Sequence, residues 1–119
     1  MFKVILYEDR QGRSTVKEYI KELEKKAQTS KDGRVRLRKI MEYIAILRQY
    51  GTRIGQPMVK HFDGDIWELR PTNDRILFFF WKDDTFVLLH HFVKKTNKTP
   101  AREIEQAKRN LKDFIERSK

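Results

Sequence analysis

A chain of 119 residues, 39% of them apolar and including eight Phe, four Tyr and two Trp, is sized for a single domain, 1–119, with one genuine core. The absence of cysteine excludes disulfide scaffolds, thiol nucleophiles and cysteine-based zinc sites. Lys and Arg number 27 against 17 Asp and Glu, a formal charge of +10 that favours a polyanionic partner, since each phosphate neutralised releases condensed counterions.

The opening FKVILY run (2–7) has the length and composition of a strand and ends in the polar EDRQG turn. It is too short for a signal peptide, and nothing later approaches the roughly 20 apolar residues of a membrane span. A cytoplasmic protein without membrane contact is therefore expected. Thr15 with Glu18 three residues on suggests a capping box, and Val16, Ile20, Leu23 and Ala27 follow at helical spacing. The stretch 29–33 breaks that helix. A second one is expected from Val35 to Tyr50, with Leu37, Ile40, Met41, Ile44 and Leu47 on one face and Gly51 closing it.

Residues 51–65 hold three of the five glycines and one proline, so a packed loop is expected there. Three strand-like runs follow, at 66–70, 75–81 and 85–93, separated by turn-prone residues 71–74 and 82–84. The second and third are apolar on both faces, as central strands covered on each side would be. Thr99-Pro100 supplies a cap residue and a proline at the first position of a last helix, whose stripe is Ile104, Ala107, Leu111, Phe114 and Ile115. The expected fold is α+β in the order β-α-α-β-β-β-α, an antiparallel sheet with an N-terminal helical hairpin and a C-terminal helix.

Charge is unevenly distributed. Residues 34–60 carry Arg34, Arg36, Arg38, Lys39, Arg48, Arg53 and Lys60 against Glu42 alone, and 94–119 are also strongly basic. Charge alone would suit RNA, DNA, the ribosome or an acidic inhibitor protein; Lys60, Arg53, Lys98, Arg102 and Lys108 in these stretches are the candidates for RNA or ribosome binding. The plain alternative is a well-solvated surface.

A two-residue turn at Asp83-Asp84 would set Leu77 opposite His90 and Arg75 opposite Phe92. The turn at 71–74 sets Arg70 opposite Arg75 and Glu68 opposite Leu77. Glu68, Arg70, Arg75, His90, Phe92 and Lys94 then share one face, with both arginines at the sheet surface. A one-residue slip would substitute His91, Val93 and Lys95. Two arginines, a histidine and a lysine suit metal-free phosphodiester cleavage. Guanidinium forks stabilise a phosphorane, and imidazole or a perturbed lysine moves protons. The alternatives are solvated turn arginines, a satisfied core histidine and solubilising lysines. No metal-ligand spacing is present, and no cofactor is expected.

The stretch FDGDIWELRPTNDRILFFFWKDDTFVLLHHFVKKTNKTP (62–100), followed by EIEQAKR (103–109), resembles the phage-associated HigB branch of the RelE-type toxins. Trp67, Glu68, Leu69, Arg70, Arg75, His90, Phe92, Val93, Lys94, Lys95, Thr96, Lys98, Thr99 and Pro100 match its pattern. His91 departs from it, standing where a small residue is expected. The resemblance implies the toxin of a bacterial type II toxin–antitoxin pair that cuts mRNA in the ribosomal A site. It also implies a HigA-like helix-turn-helix antitoxin that neutralises the toxin, and contact with operator DNA only through that antitoxin. By position, Arg70, Arg75, His90, Lys94 and Lys95 inherit the catalytic or RNA-contacting roles. The helical segment 12–50, long and charged, is the expected antitoxin platform. A gyrase-binding toxin of the ParE type, or an inactive toxin kept for operon repression, are the competing readings.

Overall fold

The computed structural model describes residues 1–119. Its strands are β1 (Lys3–Leu6), β2 (Val59–Asp63), β3 (Ile66–Leu69), β4 (Asp74–Phe80) and β5 (Thr85–Val93), joined in one sheet ordered β1-β5-β4-β3-β2. Three helices complete it: α1 (Thr15–Lys26), α2 (Lys31–Tyr50) and α3 (Ala101–Arg117). The architecture is α+β, as expected. None of the helices is long and apolar enough to cross a membrane.

The central strands β4 and β5 are buried on both faces because successive side chains alternate between two cores. Ile76, Phe78, Phe86 and Leu88 join Val16 and Leu23 of α1 and Ile40 and Leu47 of α2 in the first core. Leu77, Phe79, Val87, Leu89 and Phe92 join Ala107 of α3 in the second. The helical hairpin therefore covers one face of the sheet and α3 the other.

Two expectations about the sheet are corrected. It is mixed rather than antiparallel, since β1 runs parallel to β5 with Lys3 opposite Thr85 and Leu6 opposite Leu88. The chain leaves β1 and crosses a sheet face as α1 and α2 before reaching the meander, so no hairpin fixes the direction of β1. Second, the expected loop 51–65 contains the edge strand β2, which pairs with β3 from Val59↔Leu69 to Asp63↔Ile66 around a bulge at Phe62. Glycines and proline at its margins mark the turns around this strand, with Gly64 at φ 57 in the connection to β3.

Helix boundaries shift for local reasons. Ser14, not Thr15, caps α1, its hydroxyl accepting from the Lys17 amide at 3.2 Å. Ser30 caps α2 in the same way, so this helix begins at Lys31 rather than Val35. Gly33 lies in its first turn, where a Cβ would stand 3.0 Å from the Lys26 carbonyl carbon. The glycine serves close approach of the two helices rather than a break. In α3 the cap position is Pro100, and Thr99 turns elsewhere.

Candidate functional site

One end of the sheet collects the cations. Arg70 follows β3, Arg75 sits at the start of β4, and the Lys94 amide just beyond β5 donates to the Asn73 carbonyl at 2.8 Å. Glu68, 1% exposed, lies at the centre of this group. Its Oε1 is 3.4 Å from Arg70 Nε and 3.7 Å from Arg75 Nε, and its Oε2 accepts from the Thr99 hydroxyl at 3.1 Å. Neither Nε makes a regular hydrogen bond, so these contacts are electrostatic.

Arg75 is fixed further. Its Nη1 donates to the carbonyls of Thr72 at 2.6 Å and Asp74 at 2.9 Å. Thr72 holds a left-handed backbone (φ 52) in this turn. At 8% exposure Arg75 is buried rather than at the sheet surface, held against the 72–74 turn and Glu68; Arg70 remains partly exposed. Burial pushes the Arg75 guanidinium below its ordinary pKa, opposed by the neighbouring Glu68 carboxylate.

The two histidines point to opposite faces. Leu77 stands opposite His90 and Arg75 opposite Phe92, the expected register, but by a different route. The Trp81 amide bonds to the Thr85 carbonyl, so the turn holds three residues, Lys82 to Asp84. A bulge at Leu89 then restores the register, since Phe78 pairs with Leu88 and Leu77 with His90. His90 therefore shares the α3 face with Glu68 and Arg75.

Thr15 Oγ1 accepts the His91 backbone N–H at 2.9 Å and lies 3.1 Å from His90 Nδ1. The hydroxyl proton is thus free to donate to Nδ1, which leaves the proton of a neutral ring on Nε2, 2.9 Å from Glu103 Oε1. Thr15, the expected cap, instead orients this imidazole. Leu77 separates Glu68 from His90 by two strand spacings, roughly 10 Å. Thr99, just before α3, and Glu103, in its first turn, touch Glu68 and His90 respectively.

His91 fills the opposite face. Its Nε2 donates to Asp74 Oδ1 at 3.0 Å, which also accepts from Arg36 Nη2 at 3.1 Å, and its ring stacks on Tyr19 at 3.7 Å. Asp74 is fully buried. Burial pushes its carboxyl upward, but the hydrogen bond from His91, the nearby Tyr19 phenol and the charge of Arg36 outweigh this and hold it below the ordinary range. The Tyr19 phenol is driven well above its ordinary value by burial and by Asp74.

The remaining candidates are dispersed. Lys95, Lys98 and Arg102 are exposed between β5 and the first turn of α3, close in sequence to the cationic sheet end. Lys60 is exposed on the edge strand β2, opposite Glu68. Arg53 lies in a short 3-10 turn, beside Phe2, Tyr50 and Ile54. Lys108 is engaged by Asp63 at 2.6 Å, so its charge is locally matched. Sequence reasoning passed over Glu68, Thr99, Thr15 and Glu103 as working parts. Their contacts join separate elements, so spacing along the chain gave no signal for them. No group of three or more His, Asp or Glu side chains is placed to hold a metal ion.

What these residues can do follows from their types. Two guanidiniums and free lysines at one sheet end can bind an anion, and an imidazole backed by a carboxylate can transfer a proton. No curated protein matches the chain. The phage derived protein Gp49-like family (DUF891) matches residues 18–112, which span the hairpin, the sheet end and most of α3. On that match the chain belongs to the Gp49-like family, part of the RelE/HigB-like toxin superfamily and associated with the toxins of toxin–antitoxin systems.

Proposed function

We propose that this chain is the toxin of a type II pair and a metal-independent endoribonuclease that cuts mRNA on the ribosome. The observation that carries the reading is the shared α3 face. There Arg70 and Arg75 flank buried Glu68, and His90 stands two strands from Glu68, against Glu103. In this mechanism the scissile phosphate meets Arg70, with Arg75 and Lys94 adding positive charge as the phosphorane forms. Glu68 holds the two arginines at fixed positions. His90 exchanges the Thr15 hydroxyl for a substrate oxygen, and Glu103 stabilises the imidazolium that results. The 2′-oxygen attacks phosphorus as its proton passes to His90 Nδ1, the bond from phosphorus to the 5′-oxygen breaks, and the imidazolium returns the proton to that oxygen, leaving a 2′,3′-cyclic phosphate and a 5′-hydroxyl. Lys95, Lys98 and Arg102 extend the cationic surface along the RNA. The whole chain serves as one RelE-like domain. A helix-turn-helix antitoxin neutralises it and alone carries the pair to operator DNA.

The test is primer extension on an abundant message after brief induction in bacteria, with Arg70→Ala in parallel. New 5′ ends within translated codons, absent in the variant, are expected. Growth arrest with intact messages would transfer the reading to a ParE-like gyrase inhibitor. No arrest would leave an inactive toxin retained for repression.

A further inference from the structure

A second recess opens beside His90. It is a cleft of about 590 Å³ between the 8–14 loop, the start of α1 and the middle of α3. Tyr7 is the only hydrophobic residue among the 13 that line it, so an apolar ligand would find no complementary wall. Most of its charges are already matched. Asp9 accepts from the Gln11 and Arg13 amides and faces Arg13 Nε, while Asp113 accepts from Tyr7 Oη and Arg10 Nε.

Three lining groups stand apart from these pairs. Arg109 has no acidic partner, and its Nη2 donates only to Gln106 Oε1 at 2.8 Å. The Glu18 carboxylate and the Gln11 side-chain amide make no hydrogen bond or ion pair. Arg109 is also held in place. Gln106 Nε2 donates to Asn110 Oδ1 at 2.8 Å, and buried Asn110 donates to the Leu89 carbonyl, freed by the strand bulge, at 2.8 Å. This relay ties the free guanidinium to the backbone beside His90.

One anchored cation, one unpaired carboxylate and one free amide, in a polar cleft of nucleotide size, complement a phosphate and the donor and acceptor edge of a base. We infer that this cleft holds one nucleotide of single-stranded RNA next to the cleavage position. Arg109 takes its phosphate, and Glu18 with Gln11 meets its base. The inference rests on the RNA-cutting reading and deepens it, because His90 lies in the wall between the cleft and the Arg70–Arg75 face.

The test is an amide-resolved NMR titration of the whole protein with the four ribonucleoside 5′-monophosphates and with inorganic phosphate. Expected are shifts at residues 9–18, 90 and 106–110 and tighter binding of nucleotides than of phosphate. Arg109→Ala should weaken nucleotide binding by at least about tenfold, a loss fitting one charge-assisted phosphate contact. Glu18→Gln should reduce the advantage of nucleotide over phosphate. Shifts confined to 70–75 and 94–98, equal binding of phosphate and nucleotide, or no response to Arg109→Ala would each overturn it. Primer extension in cells separates the two claims. Intact messages with wild-type protein defeat the RNA-cutting reading itself. Wild-type cutting with unchanged cutting by Arg109→Ala defeats only the cleft.

Discussion

Asp74→Asn is the most informative single perturbation of the fold. The carboxylate is fully buried between Arg36 at 3.1 Å and His91 at 3.0 Å, so it ties α2 to β4 and β5. Asparagine preserves the shape and one acceptor oxygen but removes the charge that matches Arg36. Removing one member of a fully buried ion pair costs about 3–5 kcal/mol. Arg36 is 24% exposed and can turn toward water, so the expected loss is lower, about 2–3 kcal/mol. For 119 residues, 1 kcal/mol corresponds to about 4 °C, giving a fall in Tm of about 8–12 °C at pH 7. The sign of the pH dependence follows from the depressed folded pKa of Asp74. Its contribution is complete above the unfolded carboxylate value of about 3.9 and fades as pH falls through the lower folded value. Thermal unfolding of both proteins from pH 7 to pH 3 should show the gap closing only at the acid end. A Tm within about 2 °C of wild type at pH 7 would refute the reasoning.

Arg75→Ala should cost about 2–4 kcal/mol, because it leaves buried Glu68 short of a cation, whereas partly exposed Arg70→Ala should cost about 1 kcal/mol or less. Urea unfolding checks this, and equal small losses would contradict the placement of Arg75. Asn110→Ala strands the Leu89 carbonyl and should cost about 1–3 kcal/mol, with faster amide exchange around the bulge. Gly51→Ala forces a side chain into φ 66 and brings its Cβ within 2.8 Å of the Phe2 ring. A loss of about 1–3 kcal/mol in thermal unfolding is expected.

Much of this fold was legible because its cues are local. Continuous apolar runs of strand length marked β4 and β5, and helical spacing marked α1 and α3. The facing of Leu77 with His90 was reached through an assumed two-residue turn, when a three-residue turn and a bulge together give the same register. Hairpin arithmetic cannot detect that compensation. β2 escaped because a short edge strand half exposed to solvent lacks a strong apolar run, and its flanking glycines speak for the turns. The direction of β1 depends on a partner some 80 residues away, beyond any local signal.

The candidate site was legible as a collection of residue types rather than as a geometry. Arginines beside a turn suggest a surface, yet Arg75 folds back onto the Thr72 and Asp74 carbonyls and Glu68 and is buried. The roles of Thr15 and Glu103 toward His90 depend on contacts 75 and 13 residues apart, which only tertiary packing creates. The separation of His90 from His91 was conditional on the register, and the bulge decides it.

Purified protein added to ribosomes stalled on a defined message, with the chemistry of the cut ends read directly, tests the central claim most closely. The account predicts cleavage in the A-site codon without added divalent-ion dependence beyond that of the ribosome. It also predicts a 2′,3′-cyclic phosphate at one end, a 5′-hydroxyl at the other, and loss of the cut in Arg70→Ala. An uncut message under wild-type protein, or cutting unaffected by Arg70→Ala, would contradict it.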